Sequence, residues 1–505
     1  MGIIKEGMNW PPMNYLNWKQ AEHSAWYSGD AETLANFYTE WSRANISNSP
    51  YPLANNESFW GRQIKNQGEI YVHVPIASDI AETSANFLFA ESPIIRIPNK
   101  DKVPSIKASQ NVLDKLRNET LLDSKLLEAA ESAAAIGGVF IKVAWDSDLS
   151  EYPIPAIEQA DKSIPEFKFG MLYAVTFWKV IEQDESGSKV YRLLERYEKG
   201  SISYSLWLGT SDKLGKQIEL KAHPDTEKQE KVIKTIDMLL AVYIPNMLPN
   251  RLSRGSSLGR SDYSGIEGLM DSLDEVYTSW VKDIVLAQAK ILIPEQFMRK
   301  HDGKMSYNID KMLYVQLDID PLTLGSTQAI TPQQFEIRAE QFETTSNNLL
   351  ERIISSAGYS PQSFGLNIAG KAESGTALSM RERKSFATKG KKENYWYSAL
   401  EKIIKMLMLV YRFELNGSID TDVEVNIEFN DGVTNNLSET AASVQLLNNA
   451  MAVSTDTKVR LVHPEWDEEQ IETEVQRIIE ENNIGAIDVP ELDKWQTSYT
   501  ENEGE

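Results

Sequence analysis

Three stretches of this 505-residue chain carry residue types at spacings that could do chemistry. Gly365-Leu366-Asn367-Ile368-Ala369-Gly370-Lys371-Ala372 nearly matches a phosphate-binding loop, in which backbone amides and a lysine cradle phosphates. Its last position is alanine, so the hydroxyl that would hold magnesium is missing. Such a loop must also leave a strand and open a helix, whereas this one follows a segment that reads as a helix closing at Gly358. It is read as a glycine-bearing loop rather than a nucleotide site. Gly255-Ser256-Ser257-Leu258-Gly259 fits the nucleophile-elbow pattern around Ser257. That elbow needs a strand before it and a helix directly after, yet Pro249-Asn250-Arg251 precedes and Asp262-Tyr263-Ser264 intervenes. The histidines (His23, His73, His223, His301, His463) are scattered, with no pair at metal-ligand spacing. The absence of cysteine excludes disulfides, thiolate nucleophiles and Cys-ligated zinc. No catalytic residue, metal or cofactor is expected.

The third stretch is basic. Residues 371–392 hold Lys371, Arg381, Arg383, Lys384, Lys389, Lys391 and Lys392 against Glu373 and Glu382, a net of +5. On a helix, Arg381, Lys384, Lys391 and Lys392 fall within one broad face, with Lys389 at its margin. Such a face is either solvated, paired with acidic neighbours, or in weak contact with a polyanion. The rest of the chain leans the other way. With 51 Lys+Arg against 74 Asp+Glu the formal charge is −23. From Glu465 to Glu505 there are 14 acidic residues against Arg477 and Lys494, so that tail alone carries −12. This acidity argues against a nucleic-acid binder of the usual kind, which needs a basic footprint.

Composition bounds the remainder. Length allows roughly three domains, and 41% hydrophobic with 25% charged residues fits a folded chain. The longest apolar run, Met238 to Ile244, is far short of the ~18 residues needed to span a membrane. No secretory signal is visible near Met1, so a cytoplasmic protein is expected.

The elements that must position these residues follow from periodicity. The first sixty residues carry Trp10, Trp18, Trp26, Trp41 and Trp60 and read as an arm with aromatic anchors. Apolar spacing predicts a helix from Ile76 to Phe89 and another over about 121–136, stopped by Gly137-Gly138. A buried strand over 139–145 and an antiparallel hairpin, 190–197 with 202–208, come next. A Ser/Gly/Arg loop, 251–260, precedes a long helix expected over 264–293, with Ser264 and Glu267 as a capping box. After a turn-rich insert, Thr331-Pro332-Gln333-Gln334 reads as the start of a second helix ending at Gly358. The longest helix is expected over 376–415, with Gly390 a weak point. A short strand over 423–429 and helices over about 437–452 and 466–482 complete an α+β chain without internal repeats.

Several further segments, spread along the chain, form a set. They are His73-Val74-Pro75-Ile76-Ala77-Ser78-Asp79-Ile80-Ala81 with Phe89-Ala90-Glu91-Ser92-Pro93; Gly137-Gly138-Val139 with Val143-Ala144-Trp145-Asp146; and Leu194-Glu195-Arg196-Tyr197. Further on stand Gly259-Arg260-Ser261-Asp262-Tyr263 with Leu273-Asp274-Glu275, Ala357-Gly358-Tyr359-Ser360-Pro361-Gln362-Ser363-Phe364-Gly365, and Ser374-Gly375-Thr376-Ala377. His463-Pro464-Glu465-Trp466-Asp467-Glu468-Glu469 closes the set. In their co-linear order over residues 70–480, the specific signal, these segments resemble the portal proteins of long-tailed double-stranded DNA bacteriophages, in the branch typical of phages of Gram-positive hosts.

The resemblance implies a non-enzymatic ring of identical subunits, usually twelve, at one capsid vertex of the virion, assembled in the host cytoplasm. Double-stranded DNA would be packaged through its channel by a terminase and later ejected, with a head-completion adaptor and the capsid and scaffolding proteins as further partners. Carried onto this chain it gives a wing (1–260), stem helices (261–297 and 331–358) around a clip (298–330), and a tunnel loop (359–375). A long wing helix (376–417), a wing strand (418–433), a crown (434–485) and an acidic tail (486–505) follow. Asn367, Lys371 and Glu373 would face DNA, with Arg381, Lys384, Lys391 and Lys392 as a channel-side basic face. Arg299, Lys300, Lys304, Asp318 and Asp320 would meet the terminase or adaptor. This branch often has an Ala-Thr-Glu segment after the loop, where Ala377-Leu378-Ser379 stands here. The rival readings are a hydrolase using Ser257 and a capsid or baseplate protein without a DNA channel. Twelve copies would sum to roughly −280, which suits a conduit better than a DNA-wrapping protein.

Overall fold

A computed structural model describes residues 4–12, 15–41, 58–62, 71–98, 103–230, 232–234, 236–287, 290–294, 300–301, 304–305, 314–317, 331–333, 337–366, 375–421, 423–429, 437–463, 466 and 468–484. The chain divides into two units, Met1–Asn430 and Asp431–Glu505.

The core of the first unit begins with the helix Leu122–Ile136, where Leu122, Leu126, Ala129, Ala130, Ala133 and Ala134 recur at helical spacing and are buried. Its small side chains let it pack closely on the helix Ile76–Phe89, which offers Ala77, Ile80, Ala81 and Ala85. Gly137 ends the helix at φ 101, and an added Cβ there would sit 3.0 Å from the backbone of Gly259 to Ser261. Strand Gly138–Ala144 follows at once. It lies between Ile154–Gln159 and Ala241–Pro245, antiparallel to both. Coverage on both faces explains its nearly unbroken apolar run. Its one charge, Lys142, is held by Glu158 at 2.7 Å and Glu195 at 2.6 Å.

A six-stranded sheet runs in the order Ser163–Lys168, Met171–Gln183, Val190–Glu198, Ser201–Thr210 and Lys213–Ile218, with Val232–Lys234 also paired to Ser201–Thr210. The expected hairpin is its centre, closed by Lys199-Gly200 with Gly200 at φ 79. Trp10 packs edge-on against Trp178 of this sheet at 5.5 Å, whereas Trp26 and Trp60 belong to the main core. Strand Asn426–Glu428, shorter than expected, pairs with Ile94–Arg96.

The two long helices around the insert differ from their expected bounds. The first runs Glu267–Leu286, and Lys290–Pro294 is a strand. Ile291, Leu292 and Ile293 suit a strand, and they pair in parallel with Tyr314–Leu317 and antiparallel with Thr331–Gln333. Thr331-Pro332-Gln333 is thus an edge strand, where a proline is tolerated, and not a helix cap. The second helix starts at Ala339 and runs to Ala357. The pair meets through Trp280 stacked on Phe342, 6.0 Å apart, and an Arg338–Asp283 bridge of 2.8 Å.

The first helix also carries a polar stripe. Glu267, Asp271, Asp274 and Thr278 stand at i, i+4, i+7 and i+11, so one face presents them in a row. Glu267 binds His23 at 3.0 Å and Lys19 at 3.2 Å. Asp271 accepts from the amides of Phe59 (2.7 Å) and Trp60 (3.3 Å). Asp274, fully buried, binds Trp60 Nε1 at 2.9 Å, His73 Nδ1 at 2.7 Å and the Val74 amide at 2.9 Å. Thr278 accepts from the Val72 amide at 3.0 Å. The N-terminal segment is fastened to this helix by carboxylates.

Burial alone would raise the Glu267 pKa, but the hydrogen bond with His23 and the charge of Lys19 outweigh it and hold it at about 2. A carboxyl held below its unfolded value of ~4.3 stabilises the fold fully above that pH and stops doing so as pH falls through the folded value. Glu267→Gln is therefore expected to be less stable than the parent near neutral pH, with the gap closing between about pH 4 and pH 2. Urea titrations across that range check it, and a gap that does not change with pH would refute the account.

In the second unit, Leu437–Asn449, Thr455–Val462 and Glu468–Ile484 are helices packed in sequence. The middle one escaped the sequence reading. Ser454 caps it by accepting from the Thr457 amide at 3.2 Å.

Candidate functional site

The glycine-bearing loop is built from its two ends. The helix Ala339–Ala357 closes at Gly358, at φ 107, and the Tyr359 amide donates to Ile354 O at 3.1 Å. A short turn, Pro361–Phe364, then ends at Gly365, at φ 74. On the far side the helix Gly375–Phe413 starts. Asn367, Lys371 and Glu373 lie between, outside the described residues.

The base of this loop is stitched with polar side chains. The Ser360 amide donates to Ser385 Oγ at 2.9 Å, Ser360 Oγ donates to Arg381 O at 2.8 Å, and Ser363 and Ser385 share a bond of 2.9 Å. Thr388 Oγ1 donates to Gly358 O at 2.6 Å, and Lys384 Nζ donates to Ser355 O. Lys384 thereby satisfies a last-turn carbonyl of the preceding helix, where a cation is favoured.

Below the stitches lies a buried ion pair. Lys392 Nζ is 2.5 Å from Asp262 Oδ2 and donates to Ser84 Oγ at 2.6 Å and Tyr359 OH at 3.1 Å. Tyr359 OH donates to the same carboxylate at 2.8 Å, and Asn246 Nδ2 reaches its other oxygen at 2.8 Å. Lys392, Asp262 and Tyr359 are 2%, 3% and 1% exposed, so the network is closed to solvent. Burial lowers the Lys392 pKa while Asp262 opposes the fall, and burial with Asp262 pushes Tyr359 well up.

The basic face is accordingly split. Arg381, Lys384 and Lys391 are exposed, but Lys392 points inward and is not part of that face. Lys389, at the margin, is buried as well, 3.5 Å from Glu393. The reason is a stripe. Ser385, Thr388 and Lys392 continue the core-facing positions Trp396, Ala399 and Ile403 backward along the helix at i, i+3 and i+7 spacing. That pattern was present in the sequence, although charge alone pointed outward.

Of the insert residues, Lys300 pairs in register with Met305 and Lys304 with His301. Arg299, Asp318 and Asp320 lie outside the described residues. Ser257 sits in the 250–260 loop with no base bonded to it among the described residues. Among those residues no group of three or more His, Asp or Glu could hold a metal, and no helix is long and apolar enough to cross a membrane.

Paired helices around a β insert, a loop with a stitched base and a long core helix are the features the described residues bring together. The chain belongs to the phage portal protein family, SPP1 Gp6-like, whose model matches residues 26–484. It is a portal protein. No curated protein matches the chain. Solved structures similar to it include the neck of an empty gene transfer agent particle with C6 symmetry, at 11% identity and TM-score 0.41, covering 83% of this chain and 97% of that one. The virion of a native gene transfer agent particle matches at 10% identity and TM-score 0.35, over 90% and 96% of the two chains. The neck of the native particle with C12 symmetry matches at 11% identity and TM-score 0.34, over 77% and 89%.

Proposed function

We propose that this portal protein assembles into a closed ring of twelve copies at one vertex of a virion, and that double-stranded DNA enters and leaves through the axis. The family match over residues 26–484 carries the reading. In it, residues 1–260 and 376–433 form the wing, 261–297 and 331–358 the stem, 298–330 the clip and 434–485 the crown. The clip, with Arg299, Lys300, Lys304, Asp318 and Asp320, meets the terminase large subunit during packaging and the head-completion adaptor afterwards. Capsid and scaffolding proteins are partners at the vertex, and assembly takes place in the host cytoplasm. Negative-stain microscopy of the purified chain tests the ring: closed rings with a hollow axis are expected, and particles without an axial hole would overturn it.

Residues 359–375 act as the tunnel loop. Its stitched base supports this, because a fixed base would repeat the short segment holding Asn367, Lys371 and Glu373 once per subunit around the axis. Many weak, equivalent contacts guide DNA without arresting it. Arg381, Lys384 and Lys391 add positive charge near the base, without Lys392. Lys371→Glu is expected to lower the DNA packaged per particle while leaving the ring intact. Normal packaging by that variant would remove the loop from the mechanism.

A further inference from the structure

The loop between Pro249 and the helix Glu267–Leu286 holds Arg251, Arg254 and Arg260, and among the described residues none of these guanidiniums forms an ion pair or donates a hydrogen bond. Arg251 and Arg254 are exposed. Arg260 is half-buried, and its Nε is shut off from solvent with no acceptor. The loop itself is firmly held. Asn250 Nδ2 donates to Gly259 O at 2.9 Å, the Gly259 amide to Tyr243 OH at 2.8 Å, the Arg260 amide to Met247 O at 3.0 Å, and Asn246 Nδ2 to Arg260 O at 3.0 Å.

A shallow recess beside Arg260 is also lined by Lys19, His23, Ser261 and Ser264. Lys19 and His23 are already matched by Glu22 and Glu267, and the nearby Asp262 is taken by Lys392. The charge of Asp262 reaches Arg260, but among the described residues no carboxylate forms an ion pair with the guanidinium. A buried Nε with no acceptor is a standing cost. Burial together with the like charge of Arg251 lowers the Arg260 pKa, while the charge of Asp262 opposes the fall.

We infer that this arginine loop is a contact between subunits, receiving carboxylates from the neighbouring copy of this chain. The inference rests on the ring reading. Charge complementarity selects the occupant: at −23 each copy has carboxylates in excess, and guanidinium forks pair with them bidentately. Duplex DNA is the other polyanion of the proposed assembly, but phosphates gripped by every subunit would oppose the sliding a channel requires. A contact joining two different surfaces of one subunit is head-to-tail, and such contacts close into rings when the rotation allows.

The test uses the full chain and reads its mass by light scattering across a dilution series. Arg251→Glu/Arg254→Glu is expected to raise the concentration for half-assembly at least tenfold, with the circular dichroism of the subunit unchanged. Arg251→Lys/Arg254→Lys should retain the ring, and the unsubstituted ring should loosen in 1 M salt because exposed charge pairs are screened. Assembly indifferent to the Glu reversal overturns this contact and leaves the ring reading intact. A chain that never assembles overturns both. Unchanged assembly combined with lost retention of a short DNA duplex would reassign the loop to phosphate.

Discussion

Lys392→Met is expected to cost the first unit about 3–5 kcal/mol, the range for removing one partner of a buried pair. Asp262 would remain 3% exposed, with Asn246 and Tyr359 as its surviving donors, too few to replace a cation at 2.5 Å. The double variant Lys392→Met/Asp262→Asn removes both charges and keeps polar partners for Tyr359 and Asn246. It is expected to recover more than half of that loss, since a neutral buried site carries no uncompensated ion. Urea midpoints at unchanged slope give the comparison. A single variant within about 1 kcal/mol of the parent would show that the pair holds nothing together.

Asp274→Ala is the second large effect. Three donors, Trp60 Nε1, His73 Nδ1 and the Val74 amide, converge on this buried carboxylate. Each buried donor left without an acceptor costs roughly 1 kcal/mol or more, giving a loss of about 3–4 kcal/mol. The loss should be uneven, because these donors belong to the N-terminal segment and their acceptor to the helix Glu267–Leu286. Limited proteolysis is expected to cut the N-terminal seventy or so residues of the variant first, while the six-stranded sheet resists. Uniform cleavage, or none, would argue against carboxylates as the fastening.

Both effects lie where sequence reading is weakest. Helices over 76–89 and 122–136 and the hairpin at 190–210 were legible because apolar spacing and glycine stops agree with the final packing. The same periodicity overran the helix Glu267–Leu286, since Lys290–Pro294 is apolar enough for either state and its partners lie 23 to 43 residues away. Thr331-Pro332-Gln333 looked like a cap for the same reason: local chemistry favoured a helix start and sheet pairing overrode it. The charged groups hid differently. Lys392, Asp262 and Asp274 resemble solvent-facing residues until their ion-pair partners arrive from positions more than a hundred residues distant. Yet the row Glu267, Asp271, Asp274, Thr278 was periodic, and reading the polar face as carefully as the apolar one would have marked it.

The long helix has a mechanical consequence. At 39 residues it is about 58 Å long, and Lys392 lies 17 residues from its start, about 26 Å along the axis. With Lys392 held by Asp262, and the turns from Arg381 to Thr388 bonded to residues 355–363, the first half of the helix is a brace pinned at two levels. A tilt of about 5° about Lys392 would move Arg381, about 16 Å away, by more than an ångström and so break its bond from Ser360. The ion pair at Lys392 and the bonds to residues 355–363 thus resist the same tilt at two separated heights, and weakening either one leaves the other to hold the helix in place.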